Sequence, residues 1–205
     1  MVSLFLFLLA VTIHEVSHGW AALALGDPTA RVLGRLTLNP FRHIDWMGTV
    51  FLPLLLVAVR SPVVFGWAKP VPVNAQNFRH PRRDMLWVGA AGPGANFLFA
   101  AALAFSLKVL SFLPLAFTEM VQNLILINLV LGTFNLLPIP PLDGSRVLTG
   151  ILPPHLARLV LLLEPWGFFV VILLLSVGFI DRILWPIVLF FGKSLGVGFS
   201  CGVFV

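Results

Sequence analysis

The amino-acid sequence predicts an all-α polytopic membrane protein with about five transmembrane helices, a re-entrant or membrane-associated hairpin segment and short β-strands. Of its 205 residues, 59% are hydrophobic and only 10% are charged, and the mean hydropathy is +1.02. Soluble domains carry about 25% charged residues, so this composition indicates a chain that lies largely in lipid. We expect a single transmembrane domain over residues 1–205, with a core at about 1–150 and a C-terminal helical pair at about 155–200.

The N-terminal part of the chain predicts one span, one strand and one short apolar segment. Residues 2–25 are long enough to cross a bilayer as a helix, and the sequence Gly-Asp-Pro at residues 26–28 ends that helix. No basic residue precedes this run, and it is about twice as long as the apolar region of a signal peptide, so we expect it to be retained. Residues 31–38 alternate in polarity, which predicts a short strand. Residues 46–59 are apolar but number only 14, which is short for a span.

The middle of the chain predicts a second strand and two further spans. Residues 63–73 are interrupted by proline and glycine and predict a strand followed by a loop. Residues 85–107 form an apolar span that is interrupted by the sequence GPGAN, and residues 117–137 form another. The two predicted strands offer an edge to which an extended peptide could bind.

The C-terminal part predicts an irregular segment and then a helical pair. The sequence NLLPIPPLDG at residues 135–144 cannot form a regular helix, because proline lacks the N–H that a helix requires. Residues 156–180 and 183–195 supply the helical pair, and the tail after residue 195 has no clear meaning.

Three ionisable residues, His14, Glu15 and His18, lie in the middle of the first span. Such residues are costly in a membrane helix unless they line water, pair with one another or bind a metal. The two histidines are four positions apart, so both imidazoles project from one helical face and can share one ion. This His-Glu-x-x-His pattern is typical of zinc sites in which the glutamate is the general base for water. The alternative is a pair of satisfied core histidines or a proton path.

A catalytic zinc site has a third protein ligand and one position for water. Two acidic residues lie in apolar surroundings, Asp143 in PIPPLDG and Glu164 in LLLEPWGFF. Irregular backbone at membrane depth is tolerated only where it faces protein or a water-filled cavity, and a hydrolase needs such a cavity. We therefore favour Asp143, in non-helical backbone, as the third ligand. Glu164, beside a proline kink, is the alternative.

The sequence HEVSH on the first span, together with NLLPIPPLDG, resembles the site-2 protease family of intramembrane zinc metallopeptidases. The sequences GDPTARVLGRLTLNPFRHID, FGWAKPVPVN and GPGANF are similar to the small bacterial and archaeal members, and no PDZ-like or CBS-like module of the larger members is recognisable. The resemblance covers roughly residues 10–150. It implies one Zn²⁺ per chain, with the ligands His14, His18 and Asp143. It also implies that Glu15 is catalytic and that Asn135 holds substrate or the oxyanion.

Four other polar residues have weaker interpretations. Asn96, which follows Gly-Pro-Gly, either lines the catalytic cavity, as a second candidate for holding substrate or the oxyanion, or caps a broken helix. His43, His80 and His155 lie outside the spans or at their edges, and we expect them to be ordinary surface or interfacial residues.

The predicted reaction is hydrolysis of a peptide bond in or beside a substrate's transmembrane helix, as in regulated intramembrane proteolysis. The expected partners are then transmembrane protein substrates and the lipid bilayer. We do not expect nucleic-acid binding, because the basic residues lie in short loops between apolar spans. The main alternative is a metal-ion or proton transporter that uses the intramembrane His and Asp residues as ligands along its path. A non-catalytic binding scaffold is a second alternative. The oligomeric state is not predicted.

The positions of basic residues predict the orientation in the membrane. His18 and Asp143 can meet at one depth only if the chain crosses an even number of times between them, so residues 46–59 should re-enter rather than cross. Ten basic residues then lie on one side and two on the other, whereas a crossing at residues 46–59 would give seven and five. The ten are Arg31, Arg35, Arg42, Arg60, Lys69, Arg79, Arg82, Arg83, Arg146 and Arg158. This predicts a prokaryotic cell-membrane protein with the active site toward the cytoplasm and the N-terminus outside.

Overall fold

The structure, a computed structural model, describes residues 2–59, 66–110 and 112–199. Nine α-helices lie in these ranges, joined by short 3₁₀ and π turns. They are α1 (Val2–Ala24), α2 (Thr29–Val32), α3 (Leu52–Ala58), α4 (Pro81–Val109), α5 (Leu115–Asn135), α6 (Asp143–Ile151), α7 (Pro154–Leu162), α8 (Gly167–Ser176) and α9 (Trp185–Leu195).

Four helical segments of the described ranges are long and apolar enough to cross a membrane. They are Leu4–Ala24 in α1, the whole of α4, the whole of α5, and Pro154–Ser176, which joins α7 and α8 through a 3₁₀ turn. The expected fifth span, residues 183–195, corresponds to α9, which has 11 residues and is too short to count as one. The all-helical membrane architecture is therefore confirmed, with four candidate spans in place of about five.

Helices α1, α4 and α5 form the core of the bundle. One buried apolar cluster joins Ala100 and Ala104 of α4 to Ile125 and Leu129 of α5, and Val188 of α9 closes it. Leu6 and Ala10 of α1 meet Leu124 of α5 in a second cluster. The small residues on α1 and α4 allow the helix backbones to approach closely, as is usual between transmembrane helices.

The short apolar segment Trp46–Ala58 is helical, beginning with a π turn and continuing as α3. The carboxylate of Asp45 caps it by accepting hydrogen bonds from the N–H groups of Met47 and Gly48. Thirteen residues span about 20 Å as a helix, less than the hydrocarbon thickness of about 30 Å. A complete crossing is therefore disfavoured by length, and re-entry of this segment stays a prediction.

The predicted strands are wrong, because the described residues contain none. Residues 31–32 belong to α2, and residues 35–39 have no regular secondary structure. In the segment 66–74 only two backbone hydrogen bonds reach a neighbouring segment, from Trp67 to Gly48 and from Lys69 to His43. Prolines at positions 70 and 72 remove two further donors, so no ladder can form. Residues 63–65, part of the second predicted strand, and 200–205, part of the tail, lie outside the described residues.

Two predicted breaks differ from the structure. The sequence GPGAN does not interrupt α4, which runs continuously and holds Pro93 fully buried inside it. Asp143 is not in non-helical backbone but is the first residue of α6, although residues 136–142 before it are irregular as predicted. Pro93 is accommodated because neighbouring transmembrane helices pack around it and compensate for the lost helix contact. Helix α6 begins at Asp143 because the last proline of the irregular segment is Pro141.

Candidate functional site

Two imidazoles and one carboxylate converge where α1, α4 and α6 meet. The Nε2 atoms of His14 and His18 lie 3.0 Å apart, and Oδ2 of Asp143 lies 3.0 Å from each of them. All three side chains are buried, at 4–6% exposure. They are the cluster of potential metal ligands found among the described residues. The convergence predicted from the sequence is thus present in the fold.

The donor set fits a zinc ion. A tetrahedral zinc with bonds of about 2.0–2.1 Å to nitrogen or oxygen has neighbouring ligand atoms about 3.3 Å apart, close to the separations seen here. In the neutral histidines that a metal requires, the Nε2 atoms of His14 and His18 present lone pairs to each other and to the Asp143 carboxylate. Three lone pairs at this distance repel one another unless a cation lies between them.

Helix α4 supplies an acceptor for the other ring nitrogen of each histidine. Nδ1 of His18 lies 2.6 Å from the carbonyl oxygen of Val88, which can only accept a hydrogen bond. Nδ1 of His14 lies 2.6 Å from Oδ1 of Asn96. With both Nδ1–H groups donating to α4, both Nε2 atoms are free to bind a metal.

Gly92 allows α4 to come this close to the histidine face of α1. A Cβ atom at position 92 would overlap the imidazole ring of His18 and press on that of His14. Any larger residue would therefore push α4 away from α1 and with it the groups that orient both rings. Gly92, the first glycine of GPGAN, therefore allows the close contact of α4 with α1 and does not break α4.

Asp143 is brought to the site by the packing of α6 on α4 and on the loop before it. Gly144 makes this possible, because a Cβ there would overlap the carbonyl oxygens of Leu136 and Leu137. The guanidinium of Arg146 lies 3.2 Å from the other carboxylate oxygen, Oδ1, and leaves Oδ2 to the histidines.

Glu15 follows the first histidine and points to the irregular segment 66–74. Its Oε2 accepts a hydrogen bond of 2.8 Å from the backbone N–H of Val71, and its side chain is half-buried. The segment is itself held in place by Arg35, whose guanidinium donates to the carbonyl oxygens of Lys69 and Pro70. The carboxylate thus has a fixed partner beside the two histidines.

The remaining predicted residues occupy different positions. Asn96 is fully buried inside α4 and contacts His14, so it lies beside the ligand cluster and does not cap a helix end. Asn135, at the end of α5, donates to the carbonyl oxygen of Leu131 and forms no hydrogen bond with the three clustered side chains. Glu164 is exposed in the turn between α7 and α8, away from the cluster. His43 is buried at 1% exposure, contrary to the expected surface position, and bonds the carbonyl oxygen of Thr37.

Three contributors to the site were not found from the sequence. Arg146 was counted only as a basic loop residue, although its place three residues after Asp143 in a helix is a usable signal. Asn128, which accepts a hydrogen bond from Asn96, lies in a span and was assigned no role. The Val71 N–H is a backbone group and has no sequence signal.

Comparison with known proteins finds one matching family model. The model of peptidase family M50 matches residues 112–174, which include Asp143. No solved structure matches the chain.

Curated relatives extend the match to most of the chain. "Putative zinc metalloprotease YwhC" of Bacillus subtilis is 37% identical over 187 residues, which are 87% of this chain and 82% of the relative. "Putative zinc metalloprotease Rip2" of Mycolicibacterium smegmatis is 31% identical over 193 residues, covering 93% of this chain and 73% of the relative. "Zinc metalloprotease MJ0392" of Methanocaldococcus jannaschii is 27% identical over 152 residues, covering 72% of this chain and 33% of the relative.

Proposed function

Because the chain belongs to peptidase family M50, the site-2 protease family, we propose that its metalloprotease activity hydrolyses peptide bonds in or near transmembrane segments of membrane proteins. The observation that carries this proposal is the depth of the site. His14 and His18 lie in the interior of an apolar helix of spanning length, packed against a second such helix, α4. A reaction centre at that position acts on a peptide that enters the bilayer or its edge.

We propose that one Zn²⁺ per chain is held by His14, His18 and Asp143. The equal separations of the three ligand atoms and the Nδ1 hydrogen bonds to α4 support this ligand set. When bound, the ion would supply Lewis acidity toward a water molecule and a substrate carbonyl. Glu164 is exposed and is not part of the cluster, so it is the weaker candidate for the third ligand.

Glu15 has the position of a general base. Its carboxylate would take a proton from the attacking water and pass it to the nitrogen of the leaving amine. The Val71 N–H donates to Oε2 and fixes the carboxylate on one side. This arrangement restricts the rotation of a side chain that otherwise has three free torsions, which supports productive alignment.

Asn135 remains the candidate for holding substrate or the oxyanion. It lies at the end of α5, where the irregular segment 136–142 begins and leads to Asp143. We do not propose Asn96 for this role. Its amide N–H groups are committed to Asn128 and to the carbonyl oxygen of Ala10, so neither is left for a substrate.

We propose that the active site faces the cytoplasm, with the N-terminus outside, in a prokaryotic cell membrane. The bias of ten basic residues against two supports this orientation. In the fold, Arg82 at the start of α4 donates to the carbonyl oxygen of Thr149 near the end of α6. Two of the basic loops therefore lie on one side of the bundle, as the orientation requires.

The proposal is tested with the full chain reconstituted in liposomes with a panel of tagged single-span membrane proteins. Wild type should release fragments cut in or beside the transmembrane segment, whereas Glu15→Gln should bind zinc but cleave nothing. Glu119→Gln, which changes an exposed glutamate at the start of α5, is the matched control and should cleave normally. Cleavage by Glu15→Gln would refute the assigned role, and metal flux that survives Glu15→Gln would support the transporter alternative instead.

A further inference from the structure

The polar contacts of His14 continue beyond its immediate neighbour into the middle of the bundle. Asn96 of α4 is fully buried, and its Oδ1 faces Nδ1 of His14 at 2.6 Å. Its Nδ2 donates to Oδ1 of Asn128 at 2.8 Å and to the carbonyl oxygen of Ala10 at 3.3 Å. Every hydrogen-bonding group of the Asn96 amide is therefore in use.

Asn128 of α5 is also fully buried, and it has a single possible orientation. Its Nδ2 donates to the carbonyl oxygen of Leu124 at 2.8 Å. A backbone carbonyl in a helix can only accept, so Oδ1 of Asn128 must face Asn96. If the Asn96 amide were flipped, its oxygen would face Oδ1 of Asn128 and the carbonyl of Ala10, which are both acceptors. The flipped form is excluded on these grounds.

The direction of donation is therefore fixed from one end of the chain of contacts to the other. Nδ1–H of His14 donates to Asn96, Asn96 donates to Asn128, and Asn128 donates to the Leu124 carbonyl, so Nδ1 of His14 must carry the proton. His18 obtains the same tautomer directly from the Val88 carbonyl. His18 is thus oriented by a backbone carbonyl, whereas His14 is oriented by the side chains of Asn96 and Asn128, which can be changed by mutation.

We infer that Asn128 is a positioning residue of the metal centre, which acts through Asn96 to hold His14 in the tautomer that exposes Nε2 to zinc. The inference rests on the proposed zinc site. Without an acceptor at position 128, the Asn96 amide can rotate and present Nδ2 to His14, which favours the proton on Nε2 and blocks the metal-binding atom. Loss of a partner of this kind typically lowers metal affinity by about 10–100-fold.

The affinity test uses the purified full chain in detergent, stripped of metal and titrated with zinc against a fluorescent chelator. Asn128→Leu, which keeps the approximate size and removes the acceptor, should raise the zinc Kd by about 10–100-fold. Asn128→Asp should largely restore the affinity, because either carboxyl form accepts from Asn96 and the protonated form also donates to Leu124. Asn123→Leu makes the same chemical change at an exposed position of the same helix and should leave the Kd unchanged.

A second readout is the position of the histidine protons, and its first part needs only the wild-type protein. In ¹⁵N-histidine-labelled, metal-free wild type at pH 8, the ¹⁵N chemical shifts should place the proton of His14 on Nδ1. In Asn128→Leu the His14 signal should move toward the Nε2–H form, while that of His18, held by a backbone carbonyl, should not change.

The outcomes separate this inference from the proposed function. If wild type binds no zinc through His14 and His18, the proposed site fails. If wild type binds zinc but Asn128→Leu has the same Kd, or if wild-type His14 carries its proton on Nε2, the zinc site stands and the role of Asn128 is refuted.

Discussion

The backbone N–H of Val71 donates a hydrogen bond of 2.8 Å to Oε2 of Glu15. This contact joins the proposed general base on α1 to an irregular segment 56 residues further along the chain. The segment is fixed at both ends, by Arg35 at Lys69 and by Asp27 at Asn74. A side chain that must transfer protons is therefore restrained by a backbone group that is itself anchored.

Replacement of Val71 by proline removes this N–H and should lower kcat. Proline should be accommodated, because residues 66–74 are non-helical and already contain two prolines. A hydrogen bond to a charged group contributes about 1.5–3 kcal/mol, so we expect kcat to fall about 10-fold or more. Zinc content should stay at the wild-type level, and both quantities are measured on the same preparation.

Val71→Ala separates the contribution of the backbone N–H to kcat from that of the side chain. It keeps the N–H and removes only the branched side chain, so the loss in kcat should be clearly smaller than for Val71→Pro. Equal losses in the two variants would show that side-chain packing, and not the hydrogen bond to Glu15, is what matters.

The identity of the third ligand is tested by comparing Asp143→Asn with Glu164→Gln. Asp143 lies 3.0 Å from both histidines, whereas Glu164 is exposed. Loss of a hydrogen bond that supports a ligand lowers metal affinity by about 10–100-fold. Because Asp143→Asn removes a direct ligand, its zinc affinity should fall by more than this. Glu164→Gln should retain one zinc per chain by elemental analysis. The reverse result would assign the site to Glu164.

The ligand cluster could be predicted from the sequence because its two strongest constraints are local or chemical. Helical periodicity alone places His14 and His18 on one face. Asp143 lies 125 residues after His18. The requirement for a third ligand in an apolar environment left Asp143 and Glu164, and the irregular segment before Asp143 and the family resemblance favoured Asp143. The four long apolar segments followed in the same way from length and hydropathy.

The features of the fold and site that were not predicted depend on tertiary contacts, which leave no local pattern in the sequence. Alternating polarity at residues 31–38 indicated a strand, but no partner strand exists there among the described residues, because Pro70 and Pro72 lack donors. GPGAN was interpreted as a break, yet the absence of a side chain at Gly92 serves helix packing. Which face of α4 approaches α1 is decided by tertiary structure, so the partners of the histidine Nδ1 atoms could not be inferred.

Gly92→Ala tests whether the close approach of α4 to α1 is required for metal binding. The added Cβ would overlap the imidazole of His18, so the helices must separate and the ligand atoms must move apart. We expect loss of most bound zinc and of proteolysis. Gly94→Ala is the matched control on the same helix, because a Cβ there meets no atom within 4 Å. Normal zinc binding by Gly92→Ala would show that the centre tolerates a wider helix spacing.

Asp27→Asn tests the anchor that fixes the segment carrying Val71. Asp27 is fully buried and accepts hydrogen bonds from Thr29, Asn74 and Asn77. Burial opposes its ionisation, but these hydrogen bonds lower its pKa below the ordinary value of 3.8, so the stabilisation is complete above that pH and is lost as the pH falls below it. The introduced amide would bring its NH₂ group against one of these donors, so we expect a loss of about 1–3 kcal/mol at pH 7, measured as a lower Tm in detergent. The difference in Tm from wild type should narrow below pH 3.8, and a difference that is the same at neutral and acidic pH would show that the carboxylate charge contributes nothing to the anchor.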